Sequence, residues 1–235
     1  IIKKIILMSV AIKISVNEGL YLKEPQNSTL GKKILKLSII LIDKNGFEDF
    51  TFKKLAEEIH STEASIYRYF KNKHILLLYL FNWYWEWVNY LIIFNTKNVS
   101  APSIKLKIIL HSFLHAQKEN PSTEFINESA LHNIVISEGG KAYHTKMVDD
   151  ENSKGFFSSY ISLVNYVSKI IKEINPTFKY PNALASNLFE MSNNQVYFAR
   201  HIPSLNEISK KGEDVSEVEK ILNYFTEILL EKRQK

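Results

Sequence analysis

The residues best equipped for chemistry cluster between positions 51 and 73. Thr62, Glu63, Ala64, Ser65, Tyr67, Arg68 and Tyr69 share a short predicted helix on which only Ile66 and Phe70 clearly point inward. Small side chains at Ala64 and Ser65 let the helix backbone come close to a flat ligand edge. Arg68 carries a planar fork of donors that fits guanine or phosphate, and Tyr67 and Tyr69 can donate to phosphates. Thr51 and Lys73 stand at predicted helix N-termini, where unpaired N–H groups and the helix dipole favour an anion. Glu63 repels phosphate, so it is either a cytosine reader or a solvated residue. This inventory suits recognition rather than bond-making.

The rest of the chain offers little chemistry. His111 and His115 are spaced i, i+4 on a predicted helix and can chelate a metal. No HExxH pattern or clear third ligand accompanies them, so ordinary packing or surface roles are expected and no metal is assigned. His132 and His144 are isolated. Glu138-Gly139-Gly140-Lys141 lacks both phosphate-loop spacing and a preceding strand. No nucleophile–base pair is supported by spacing. There is no cysteine, which excludes disulfides, thiolate metal sites and cysteine redox switches, and a cytoplasmic location fits. No cofactor and no enzymatic activity are expected.

The elements that position these residues are helical. Gly (7) and Pro (6) are scarce among 235 residues, which favours long uninterrupted helices. Ser28 or Thr29 can cap a first helix, whose apolar residues Leu30, Ile34, Leu37 and Leu41 keep the helical period up to Gly46. Thr51 caps a second helix, Phe52 to Ile59. His60-Ser61 is a turn, and Thr62 caps the third helix, Glu63 to Phe70. The last two are about two turns each and nearly abut, so they must cross steeply, as in a helix-turn-helix.

Charge agrees with this division. Residues 1–75 carry 13 Lys/Arg against 8 Asp/Glu, whereas residues 76–235 carry 17 of each. The whole net charge of +5 therefore lies in the first third, the pattern of a polyanion-binding head on a neutral body.

The block from Phe47 to Leu77 resembles the DNA-binding domain of the TetR family of bacterial regulators. Gly46-Phe47 matches the end of that family's first helix, and Thr51 the opening of its second. Leu55-Ala56-Glu57 matches the triplet that follows. Tyr67-Arg68-Tyr69-Phe70 and Lys73 match the end of the third helix and the start of the fourth. The resemblance covers about residues 30–80. Two departures stand out: His60-Ser61 occupies a turn that usually holds Gly and a small apolar residue, and Ala64 stands where Gly is frequent. His tolerates a left-handed conformation better than a β-branched residue. The resemblance implies phosphate contacts from Thr51, Tyr67 and Lys73, base contacts from Thr62 to Arg68, a homodimer and a palindromic operator of double-stranded DNA.

The remainder reads as more helices: Ser103–Lys118, Ser122–Ser137, Phe156–Ile174, Asn182–Arg200 and Val215–Lys232, with Gly139–Asp150 ambiguous. Ile75–Phe94 is a twenty-residue apolar stretch, interrupted by Asn82, Glu86 and Asn89 on one stripe. A central Glu would cost about 2.5–3.5 kcal/mol on insertion scales, so a buried bundle helix is expected and no membrane span. Trp83, Trp85 and Trp87 cannot all face one cavity.

The expected architecture is all-α. An arm (1–28) precedes a three-helix DNA-binding domain (29–75) and a helical effector-binding and dimerisation domain (76–235). Val10–Lys23 alternates apolar and polar residues around Asn17-Glu18-Gly19, which predicts a short β-hairpin in the arm. Ile1–Val16 ends in no clear signal-peptide cleavage site, and Met8 is a candidate start. A pocket for a small apolar or amphipathic ligand is expected beside the fourth helix at Asn82, Glu86 and Asn89, walled by Phe113 and Phe125. The dimer interface is expected on the last two helices, through Val218, Ile221, Leu222, Phe225, Ile228 and Leu229. The expected function is a sequence-specific repressor released by its ligand. A regulator without a small-molecule ligand and a helical enzyme with an incidental basic head are the alternatives.

Overall fold

The computed structural model describes residues 12–208 and 215–231. Ten α-helices form, and no strand occurs among the described residues. Three short helices make a head: α1 (Thr29–Asn45), α2 (Phe52–Glu58) and α3 (Glu63–Tyr67). The body comprises α4 (Lys73–Thr96), α5 (Pro102–Leu114), α6 (Glu128–Tyr143), α7 (Val148–Ser153), α8 (Ser158–Ile174), α9 (Pro181–His201) and α10 (Ser216–Leu230). Residues 139 and 140, ambiguous in sequence, continue α6 without a break. The segment expected to be helical from Ser122 instead makes a 3-10 turn at Pro121–Thr123 and restarts at Glu128.

Short helices depend on their ends, and the head caps every one. Ser28, Thr51, Thr62 and Asn72 accept from the amides of Gly31, Lys54, Ser65 and Ile75, opening α1 to α4. Such a cap contributes about 1 kcal/mol. Helices α5, α8, α9 and α10 have no side-chain cap bond and rest on tertiary packing instead. Gly46 closes α1 at φ 79°, a left-handed conformation in which any Cβ is strained.

Helix α4 is the spine. At 24 residues it is about 36 Å long, and it packs against α5, α6 and α8. Its aromatic residues fill the body rather than one cavity. Trp83 stacks on Trp87 at 6.0 Å between ring centres, and Trp85 lies against Tyr160 at 4.4 Å and Phe113 at 5.9 Å. No described helix is long and apolar enough to cross a membrane.

The arm corrects an expectation. Val10 lies outside the described residues, but Asn17-Glu18-Gly19 is not a hairpin turn: Glu18–Leu20 is a 3-10 turn and residues 21–24 do not pair back. Of the alternating apolar residues, Ile14, Val16 and Leu20 are buried in the helical core, Ile12 is half-buried and Leu22 is exposed. An isolated hairpin would be marginal, and docking along helices satisfies the same pattern. The Leu22 amide donates to the Tyr69 carbonyl at 2.8 Å, and the Gln26 side chain bonds the Ile14 carbonyl and the Tyr79 hydroxyl. Gly31 permits this strap, because a Cβ there would lie 2.2 Å from the Pro25 carbonyl oxygen.

Candidate nucleic-acid interface

Helix α3 is held by Ile66 and Phe70, both fully buried, and by the turn that precedes it. In that turn His60 adopts φ 53°, and the Ser61 amide donates to the Ala56 carbonyl at 2.9 Å, setting the steep crossing of α2 and α3. With its inward stripe spent, α3 leaves Thr62, Glu63, Ala64, Tyr67 and Arg68 exposed and Ser65 half-buried. Tyr67 is braced edge-on against Phe52 at 5.0 Å and about half of it is exposed. Among the described residues Arg68 makes no hydrogen bond or ion pair, and its five donors stay available to a partner. Thr51 is exposed at the opening of α2.

Two of the expected DNA contacts are corrected by their own hydrogen bonds. The Lys73 ammonium donates to the carbonyls of Phe47, Glu48 and Phe50 at 3.0, 2.9 and 3.1 Å, and sits over the Phe47 ring. An ammonium has three donors, and all are used. Lys73 thus staples the α1–α2 loop, and only its backbone, in the first turn of α4, keeps the expected role. Tyr69 is 3 % exposed, and its hydroxyl is paired with the Ser28 hydroxyl at 2.8 Å, so it ties the arm to α3 instead of reaching a phosphate. Sequence reasoning missed the exposed cations Lys53, Lys54 and Lys71, which flank α3. Their position beside Thr51 and Arg68 was the available signal.

The body grips the head at Phe47 and braces the first turn of α4 beside it. Glu138 on α6 accepts from the Phe47 amide at 3.0 Å and pairs with Lys141 at 2.7 Å, which also lies 3.4 Å from Glu48. The Glu138 carboxylate raises the pKa of Lys141. On α7, Glu151 pairs with His74 at 2.7 Å. Both grips engage segments adjoining the Lys73 staple. Neither Glu138 nor Glu151 carries a sequence signal for this role.

Of the residues expected to line a ligand pocket, Glu86 and Asn89 border a groove and Asn82 does not. Asn82 is buried and fully engaged: its amide donates to the Phe156 carbonyl and the Ser159 hydroxyl, and its oxygen accepts from the Asn17 amide. It is a knot joining arm, α4 and α8. Glu86 and Asn89 line an open groove of about 410 Å³ beside the arm. Phe113 is core, packed on Phe189 at 4.8 Å, and Phe125 lies by the Lys32 ammonium, away from that stripe. The void between α4 and α8 holds only about 10 Å³, room for one water at most. Among the buried polar atoms of this body without a hydrogen-bond partner are the Trp83 indole N–H, the Tyr84 hydroxyl and His132 Nδ1. Tyr84 and His132 lie edge to face at 5.7 Å. Burial pushes the His132 pKa down to about 3, with the nearby Arg200 charge adding to the effect.

The expected dimer face also divides. Val218 and Leu222 point into their own body, whereas Phe225, Ile228 and Leu229 are exposed and Ile221 is half-buried. Val218, Leu222, Thr226 and Leu230 form the inward stripe at helical spacing.

Residues 34–80 match the family described as bacterial regulatory proteins, tetR family. Solved structures share the fold over most of both chains. AibR, crystallised with isovaleryl coenzyme A and operator DNA, aligns with a TM-score of 0.56 and 15 % identity over 85 % of this chain and 98 % of its own. The ketosteroid transcriptional regulator KstR2 of Mycobacterium tuberculosis aligns at 0.56 and 11 % identity, over 87 % and 94 %. The fatty acid degradation regulator FadR from Bacillus halodurans aligns at 0.56 and 15 % identity, over 86 % and 98 %. No curated protein sequence matches the chain.

Proposed function

We propose that this chain, whose residues 34–80 match the tetR family of bacterial regulatory proteins, is a cytoplasmic, sequence-specific regulator of transcription, a repressor released by a small molecule and not an enzyme. The observation that carries this reading is α3 itself: a helix anchored by Ile66 and Phe70, with Glu63, Tyr67 and Arg68 exposed and Thr62 and Ser65 bonded only to each other in the cap. In this reading residues 29–75 are the DNA-binding domain, residues 76–235 the effector and dimerisation domain, and residues 1–28 an arm, of which residues 12–28 strap the head to α4. Thr62 to Ser65 and Arg68 face the base edges of the major groove. Thr51, Tyr67, Lys53 and Lys71 meet phosphates.

The dimer forms through the outer faces of α9 and α10, where Phe225, Ile228 and Leu229 are exposed. Two heads then address the two halves of a palindromic operator. The ligand enters the aromatic body at Tyr84 and His132, whose buried polar atoms are otherwise unsatisfied, and its entry displaces rings that now close the space. Movement of α6 and α7 is transmitted through Glu138–Phe47 and Glu151–His74 to the head.

The test is fluorescence anisotropy on duplex DNA over a salt series. Each phosphate contact adds about 0.9 to the slope of log affinity against log salt, and a dimer doubles the number. Binding that is insensitive to salt contradicts the proposal. Phe225→Glu is expected to give monomers by light scattering with weakened DNA binding. Monomeric behaviour of the unmodified protein at micromolar concentration contradicts the dimer.

A further inference from the structure

A second constellation lies on the flank of the body, away from the head. His111 occupies the last turn of α5 and His115 is the residue that closes that helix. Glu219, 104 positions further along, stands in the first turn of α10. Packing of α10 on α5 brings the three together: His111 Nδ1 lies 3.0 Å and His115 Nε2 3.9 Å from the same carboxylate oxygen of Glu219. One ligand atom from each residue falls within 4.8 Å of the others.

We propose that His111, His115 and Glu219 form a site for a divalent transition cation of the zinc type, clipping α10 to α5. Zinc takes histidine nitrogens at about 2.0–2.1 Å and carboxylate oxygens at about 2.0–2.2 Å. Ligands of a tetrahedral zinc are therefore roughly 3.3–3.5 Å apart, between the two distances found. A hydrogen bond accounts for the shorter contact. A second imidazole nitrogen faces the same oxygen, with the two rings 4.2 Å apart. Two imidazolium rings at that spacing would repel, whereas neutral imidazoles around a cation do not. The location also favours a cation, because the carbonyl end of α5 carries the negative pole of its dipole.

Two nitrogens and one carboxylate oxygen suit zinc, cobalt or nickel over calcium or magnesium, which prefer all-oxygen cages. His111 is half-exposed, so water completes the coordination. The clip fixes the helix whose outer face carries Phe225, Ile228 and Leu229. The third ligand is invisible in sequence because it comes from a different helix.

Cobalt(II) titration of the tag-free, full-length protein, followed by visible absorption, tests this directly. The expected result is one cobalt per chain with the intense bands of four-coordinate geometry, displaced by zinc. His111→Ala and Glu219→Gln each weaken binding at least about tenfold, while His144→Ala, at an exposed histidine elsewhere, leaves it unchanged. The melting temperature rises with zinc and returns on chelation in the unmodified protein and in His144→Ala, but not in His111→Ala. A pale six-coordinate spectrum, or equal losses for His111→Ala and His144→Ala, overturns the site.

Discussion

Head and body distribute their unsatisfied polar groups unequally: the head buries one, the Ser38 hydroxyl of α1, and leaves Arg68 exposed, whereas the body buries several. In the head, Arg68 and Tyr67 are exposed, where water satisfies their polar groups. In the body, the Trp83 indole N–H, the Tyr84 hydroxyl and His132 Nδ1 are buried without partners. The first arrangement costs nothing in the free protein. The second costs about 1–3 kcal/mol for each group left dry. A surface built to meet a polyanion can wait in water, whereas an interior with stranded polar atoms gains when a guest or a water reaches them. The head is capped at every helix start, and the body is packed from contacting aromatic rings.

Lys73 probes the head side of this comparison most severely. Its three charge-assisted bonds hold the loop that α6 also grips. Lys73→Ala is expected to destabilise the protein by about 3 kcal/mol, since bonds to a charged donor contribute more than neutral ones and the site is only partly buried. Chemical denaturation checks this. An unchanged midpoint with uniformly weaker DNA binding would return Lys73 to the phosphates.

His132 probes the body. Its pKa lies near 3 folded and near 6.5 unfolded, so below pH 6.5 the unfolded chain binds the extra proton. The stability that depends on neutral His132 is full above pH 6.5 and is lost as pH falls toward 3. Between pH 7 and 5 this amounts to about 2 kcal/mol. His132→Leu is expected to remove that part of the acid sensitivity, read as the difference between the two proteins' urea midpoints at each pH. Parallel pH profiles would show that His132 is not held neutral.

The smallest effect is expected at Tyr84. Tyr84→Phe removes a stranded hydroxyl and leaves the ring, so stability is unchanged or rises by about 1 kcal/mol. A loss above about 2 kcal/mol would mean that the hydroxyl already has a partner, and the contrast between head and body would fail there.

These two regions were also unequally legible in the sequence. In the head, function depends on residues close together in the chain, so caps, the His60 turn and the exposed side of α3 could be read from spacing. Errors there arose where long side chains turned back on the protein: Lys73 to the loop carbonyls and Tyr69 to Ser28. The arm's alternation was seen, but its partner was taken for a second strand when it was a helical surface. In the body, periodicity identified the helices but not which neighbour each face meets. Asn82 was read as lining a pocket because Asn17 and Phe156, its partners, lie 65 and 74 positions away. Val218 and Leu222 were assigned to a dimer face that an amphipathic helix splits between its own core and the outside.

Selection from random duplex DNA, with the unmodified protein and with Arg68→Ala, tests the central claim most directly. The account predicts a palindromic motif for the first. For the second it predicts the same half-site spacing with lost preference at one position per half-site, about 1–3 kcal/mol weaker for the original operator. Failure to enrich any sequence, or an identical motif for both proteins, would contradict the assignment of α3 as the reader of DNA.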